Sequence, residues 1–403
     1  MPTYISKENK SKLVILTFVG NYLPGFKAGG ILRSLVNVID YLCDIFEFWI
    51  VTRDRDLGDN KPYSDIKVNQ WQQVGNAMVY YLPPHLSTVN NIHDIIVSTP
   101  HNVLYLNSFF DPLTIKVLLN RKYRRDTFKP VIVAPLGEFA WASLKQKYFK
   151  KYIFIQVAIY LGLYKNVTWR ASSEFEMLDI INVMKIKHEA IHIASDLPNK
   201  IISGEPPSVI SNPFSESKSL RIVFLSRISR EKNLDYALRV LSKVNAMVLF
   251  DIYGPLENSK YWKECQELIC KLPANIKVKY LGSVNPNQVG NIFSCYDLFL
   301  FPTAGENYGH VIAESLSSGT PVLISTETPW RNLQADELGW DINIDHIKLF
   351  VEKIEEFALI SNMERLKKRS IIKANIMKRL FDPAVFEANR QLFLRSNASD
   401  NNI

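Results

Sequence analysis

The hydrophobic pattern of the chain alternates between short apolar runs and longer periodic stretches. Residues 13–19 (LVILTFV) form an unbroken apolar run, which predicts a buried strand. From Gly30 onward the apolar positions are Ile31, Leu35, Val38, Ile39 and Leu42, the spacing of one helical face. FEFWIVT (46–52), VLYL (103–106) and VIVA (131–134) read as further strands. This rhythm predicts strand–helix–strand units and a doubly wound parallel sheet.

The rhythm breaks at Glu205-Pro206-Pro207 and at Ser211-Asn212-Pro213, which read as a linker. It then restarts. Strands are predicted at 221–226, 247–254, 276–282, 297–302 and 321–325, with helices over 232–244, 259–271 and 286–294 between them. A last helix is predicted over 382–395, after Phe381-Asp382-Pro383. The division is therefore 1–210, 211–380 and a tail of 381–403. A length of 403 residues is too great for one comfortable core, which fits two domains.

Composition narrows the class. An apolar fraction of 47% and an aromatic fraction of 12% mark a globular chain. The N-terminal MPTYISKENKSKL lacks an apolar leader core, and the stretch 152–164 is interrupted by Gln156 and Gly162. A bilayer span needs about 20 apolar residues, so the expectation is a soluble or peripheral cytoplasmic protein. Cys43, Cys265, Cys270 and Cys295 form no CxxC pair and read as reduced thiols. The net charge is +8, and between 115 and 170 twelve Lys/Arg face only two acids, Asp126 and Glu138. So one-sided a stretch suggests an anionic partner, although a solvated face is the plainer alternative.

The chemistry sits after the strands. Gly29-Gly30 opens the first helix, where free amides suit a phosphate if the pair is more than a turn. Arg227 and Lys232 follow the strand at 221–226 and form a possible diphosphate clamp, or else surface ion pairs with neighbours such as Glu231. GENYGHVIAESLSSGTPVL (305–323) holds Glu306 on a loop and Glu314 inside a helix starting near Gly309. A ligand along that helix start would meet a carboxylate at each end.

These residues carry a resemblance. Arg227 with Lys232, then LFLFPTAGENYGHVIAESLSSGTPVL, resembles glycosyltransferase family 4, a retaining family of the GT-B fold. DIYG (251–254), YLGSV (280–284), Gly29-Gly30 and SNP (211–213) add to it. AGGILRSLVN, TRDRDLGD, LNSFFDPLT and TPWRNL are similar to bacterial transferases that build O-antigen, capsule or exopolysaccharide, including lipopolysaccharide. The resemblance implies an α/β GT-B fold: two Rossmann-like domains face a cleft, the first for the acceptor and the second for the donor. The last helix would pack back on the first domain. Arg227 and Lys232 would neutralise the leaving nucleotide diphosphate, with Glu306 holding the donor sugar and Glu314 the ribose. The backbone of Asn307, Tyr308, Gly309 and His310 would cap sugar and phosphates. Gly282-Ser283 would face the base, and Gly29 and Gly30 the diphosphate. The implied activity is hexosyl transfer from a nucleotide-diphosphate sugar to a lipid-linked or oligosaccharide acceptor. No cofactor or metal is implied, because Arg and Lys supply the counter-charge. A non-catalytic GT-B subunit and another GT-B nucleotide-sugar enzyme stay open as alternatives.

Two departures stand out. Many relatives carry a histidine after the fourth strand of the first domain, where this chain has Asn107-Ser108. A related PRGE pattern appears as Pro135-Leu136-Gly137-Glu138, without its arginine, which leaves Glu138 either an active-site residue or a loop carboxylate. Asp54-Arg55-Asp56 matches a loop of similar transferases better than a metal-binding D-x-D. The stretch 144–164 (LKQKYFKKYIFIQVAIYLGLY) puts lysines ahead of an aromatic helix, as a segment lying on an anionic membrane does, or as a core helix with a basic first turn does. Nucleic acid is a poorer partner, since no helix-turn-helix or RNA-binding signature is present. A dehydrogenase is disfavoured, because no G-x-G-x-x-G follows the first strand.

Overall fold

The computed structural model describes residues 12–124, 129–145, 147–200 and 219–398. The linker expected at Pro206-Pro207 and Asn212-Pro213 lies outside the described residues. The first sheet comprises β1 (Leu13–Phe18), β2 (Phe46–Arg53), β3 (Trp71–Val74), β4 (Ala77–Leu82), β5 (Val103–Asn107), β6 (Val131–Ala134), β7 (Thr168–Ala171) and β8 (Ile191–Ile193). Its helices are α1 (Gly30–Leu42), α2 (Val89–Ser98), α3 (Pro112–Tyr123), α4 (Trp141–Lys145), α5 (Tyr148–Tyr160) and α6 (Glu174–Met184).

The strand order is β3-β4-β2-β1-β5-β6-β7-β8, parallel throughout except for β3 against β4. The apolar runs are explained by burial on both faces. Along β1, Leu16 and Phe18 enter one core cluster while Ile15 enters the other, as the two-residue period of a strand requires. The β3–β4 hairpin is an edge that the strand–helix rhythm did not predict.

The second sheet comprises β9 (Leu220–Leu225), β10 (Val248–Tyr253), β11 (Ile276–Tyr280), β12 (Leu298–Phe301), β13 (Val322–Ser325) and β14 (Gly339–Ile342). It is wholly parallel in the order β11-β10-β9-β12-β13-β14. That is the doubly wound 3-2-1-4-5-6 order, whose ligand crevice opens where the order reverses, between β9 and β12. In the first sheet the reversal falls between β1 and β5.

The second domain carries α7 (Leu234–Leu241), α8 (Ser259–Ile269), α9 (Val289–Ser294), α10 (His310–Ser317), α11 (Ile347–Leu359) and α12 (Asn362–Leu380). The helix expected over 232–244 begins later: Arg230–Lys232 is a 3-10 turn, and Asn233 adopts a left-handed conformation before α7. The last helix, α13 (Pro383–Ala398), returns to the first domain. There Phe393 packs edge-on against Phe46, Phe48 and Tyr105, and Asn389 donates to the Ser195 carbonyl at 2.8 Å. Among the described residues no helix is long and apolar enough to cross a membrane.

Candidate active site

The loops after β9 and β12 are stitched together at the reversal point of the second sheet. The Ala304 amide donates to the Glu231 carbonyl at 2.8 Å, and the Asn233 side chain donates to the Pro302 carbonyl at 2.9 Å. This lays Lys232 against Glu306, with Nζ 2.7 Å from Oε1 and both side chains largely buried. The Glu306 amide is held by the Glu327 carbonyl at 3.0 Å, which fixes the carboxylate from the backbone side. Arg227 instead pairs with Glu257 at 2.9 Å, and Arg230 with Glu264 at 2.6 Å. Both of those pairs are exposed, and such pairs are worth about 0–1 kcal/mol. An incoming anion can therefore take Arg227 at little cost, while Lys232 is already fixed beside Glu306.

Gly309 caps α10 in the left-handed region at φ 81°, so the chain turns into the helix with almost no side chain in the way. Among the described residues the amides of Asn307, Tyr308, Gly309 and His310 meet no internal acceptor, leaving donors at the start of α10. The side chains here serve the seam between domains. Asn307 Oδ1 accepts from Ser172 Oγ at 2.9 Å, and Gly137 leaves room for that approach, since a Cβ there would lie 2.9 Å from Asn307 Cβ. The Tyr308 carbonyl accepts from Trp330 Nε1 at 2.6 Å.

Glu314 lies beyond the first turn of α10, 3.4 Å from the Arg33 guanidinium of the first domain. Burial pushes its carboxyl up to about 7, and Arg33 opposes that rise. His310 is 3.0 Å from Ser34 Oγ and 3.8 Å from Asp196 Oδ2. Burial lowers its imidazole to about 4, against the pull of Asp196, so at neutral pH the ring is uncharged and the contact is a polar one, not an ion pair. Asp196 is itself bound to the fully buried Arg170 at 2.6 Å.

On the first domain, Gly29 (φ 64°) and Gly30 stand at the start of α1, and a Cβ on Gly30 would reach only His310, at 4.0 Å. These glycines and α10 therefore face each other. Asn107 ends β5 with its amide nitrogen buried and unpartnered. Glu138 is committed to the fold: its carboxylate accepts from Ser108 Oγ at 2.7 Å and from the amides of Phe109 and Phe110. Burial pushes it up to about 7. Asp56 spends its oxygens on the amides of Phe26, Lys27 and Leu57, and Asp54 pairs with Arg55. That D-x-D therefore pins the loop before α1. Ser283 is exposed beyond β11.

Sequence reasoning missed Arg33, Ser34, Ser172 and Asp196. Arg33 had a signal, lying one helical turn past Gly30; Asp196 had none, because its partners are brought to it only by the fold.

The fold is that of the GT-B class: two Rossmann-like domains that meet along a polar seam. Residues 210–377 match the family model of glycosyl transferases group 1. HepE of Anabaena, solved in complex with UDP and glucose, superposes with a TM-score of 0.67 at 16% identity, over 94% of this chain and 98% of HepE. An uncharacterized 41.2 kDa protein in the cps region of Klebsiella pneumoniae is 22% identical over 282 residues, 68% of this chain and 75% of that one. The GtfA subunit of a UDP-N-acetylglucosamine–peptide N-acetylglucosaminyltransferase from Streptococcus agalactiae is 28% identical over 120 residues, 29% of this chain. That match spans only 22% of the GtfA subunit's length.

Proposed function

We propose that the chain is a retaining glycosyltransferase. It moves a hexose-type sugar from a nucleotide-diphosphate sugar to a lipid-linked glycan acceptor in surface polysaccharide biosynthesis. The observation that carries the reading is the Lys232–Glu306 pair at 2.7 Å, set beside the open amides at the start of α10. A fixed cation, a fixed carboxylate and free N–H groups match, in order, a diphosphate, sugar hydroxyls and phosphate oxygens. Arg227 swings from Glu257 to the diphosphate as the leaving group gains charge, and Lys232 needs little reorganisation. Catalysis on this reading is mostly electrostatic stabilisation of departing diphosphate in a closed cleft. Glu314 takes the ribose hydroxyls, Gly282-Ser283 faces the base, and Gly29-Gly30 lets α1 approach the phosphates.

The acceptor side rests on α4 and α5. Trp141, Phe149 and Tyr160 are 69%, 76% and 89% exposed, beside exposed Lys145, Lys147 and Lys150. The inner face of α5 buries Ile155 and Ala158, so the helix is apolar on both sides. Rings and lysines on an outward face suit an anionic membrane that carries a lipid-linked acceptor.

A thermal-shift screen of nucleotide sugars tests the donor reading. One of them stabilises the protein, and Glu306→Ala keeps the fold while turnover with that donor falls at least a hundredfold. Transfer surviving at the wild-type rate removes Glu306 from the mechanism, and stabilisation by no nucleotide sugar removes the donor site.

A further inference from the structure

Helix α1 of the first domain and helix α10 of the second meet face to face. Gly30, Arg33, Ser34 and Asn37 lie at i, i+3, i+4 and i+7 on α1, which is one helical stripe. His310 and Glu314 lie one turn apart on α10. The stripe meets the pair residue by residue: Gly30 leaves room for His310, Ser34 Oγ is 3.0 Å from His310 Nε2, and Arg33 reaches Glu314 at 3.4 Å. Asn37 closes the row by donating to the Leu197 carbonyl at 2.7 Å. The carboxylate assigned to the ribose thus has its counter-charge on the opposite domain.

We propose that Arg33 is a positioning residue for the donor: from the first domain it holds the Glu314 carboxylate ionised and aimed for the ribose hydroxyls of the nucleotide. The proposal rests on the donor reading of the second domain. Its physical basis is that a buried carboxylate without a cation takes up a proton, and a protonated carboxyl is a poorer acceptor for hydroxyl donors.

The charged and titratable groups around Glu314 are few among the described residues. Arg33 faces it from α1, and His310 precedes it by one turn on α10. His310 is uncharged at neutral pH and is turned to Ser34 and Asp196, and Arg170 holds Asp196 behind it. With Glu314 near 7 in the presence of Arg33, loss of the guanidinium raises it further.

The probes are UDP-glucose, GDP-mannose and TDP-glucose, whose phosphate diesters do not titrate between pH 6 and 8.5, and binding is read by calorimetry. Wild-type affinity for the probe it accepts climbs with pH through about 7. In Arg33→Gln the climb moves about one pH unit alkaline and affinity at pH 7 falls about fivefold, because an opposite charge at this distance is worth one unit or more. Arg33→Lys keeps the charge and restores most of the wild-type profile. Glu314→Gln, which removes the titrating group, flattens the profile. An Arg33→Gln profile identical to wild type, or a climb that persists in Glu314→Gln, overturns the role of Arg33 while leaving the donor site standing. Failure of the wild-type protein to bind any of the probes, with no other nucleotide sugar stabilising it, overturns both.

Discussion

At the scale of single residues, the site is decided by what is absent as much as by what is present. Gly30 has an ordinary helical backbone, so adding a methyl there favours α1 by about 0.5–1 kcal/mol. The same methyl enters the space between α1 and His310, where the diphosphate is assigned. Gly30→Ala is therefore expected to leave the melting temperature unchanged or higher while the donor KM rises about tenfold or more, as one lost phosphate contact would give. Steady-state kinetics beside a thermal melt separates the two effects. Glu138 shows the opposite pattern. Replacing it with Ala strands the Ser108 hydroxyl and the amides of Phe109 and Phe110, and a buried unsatisfied group costs about 1–3 kcal/mol. Urea unfolding should report that loss, with turnover per folded molecule retained. A collapse of turnover at unchanged stability would return Glu138 to the chemistry.

At the scale of elements, α5 is the one whose sequence and burial disagree. A helix with a single core stripe would show lysines and other polar groups outward. Here the outward positions include Phe149, Tyr152, Ile153 and Tyr160, all about half exposed or more. An exposed apolar surface of that kind marks an interaction site. The expected outcome is co-sedimentation with vesicles containing anionic lipid, weakened by high salt and largely lost in a Trp141→Ser, Phe149→Ser, Tyr160→Ser triple variant. Equal binding to neutral vesicles would remove the electrostatic part of this account. The loop-plus-helix arrangement of Glu306 and Glu314 is also an element-scale fact. Gly309 breaks the helical register between them, so the two carboxylates point to separate tasks: one to Lys232 within the domain, the other to Arg33 across the cleft.

At the scale of the whole molecule, α13 and the polar seam hold two cores together. The seam turns on Asp196, which is buried, binds Arg170 at 2.6 Å and lies 3.8 Å from His310 of the other domain. Removing one partner of a buried ion pair costs about 3–5 kcal/mol, because the remaining charge is stranded. Asp196→Ala should lower the unfolding free energy by that order and, by freeing His310, widen the molecule in small-angle scattering. Unchanged dimensions would mean that α13 alone sets the domain spacing.

Elements whose environment is uniform can be read from residue order alone. Strands buried on both faces, such as β5 and β12, must be continuous apolar runs, and that is visible one residue at a time. Gly29-Gly30, Arg227, Lys232, Glu306 and Glu314 were legible as candidates because ligands of such sheets bind at the carboxyl ends of the strands. The β3–β4 hairpin was not legible: edge strand β3 is only partly buried and has little apolar contrast, and β4, though it buries Ala77, Val79, Tyr81 and Leu82, follows β3 by a tight turn where the rhythm calls for a helix. Which of these groups face each other is a tertiary matter. Whether Lys232 meets Glu306 or solvent depends on the loops after β9 and β12 being stitched together, and whether Glu314 has a cation at all depends on Arg33 and on the two domains meeting face to face. Contacts between residues so distant in the chain are bought with loop-closure entropy and repaid by packing, and neither quantity is written in local pattern.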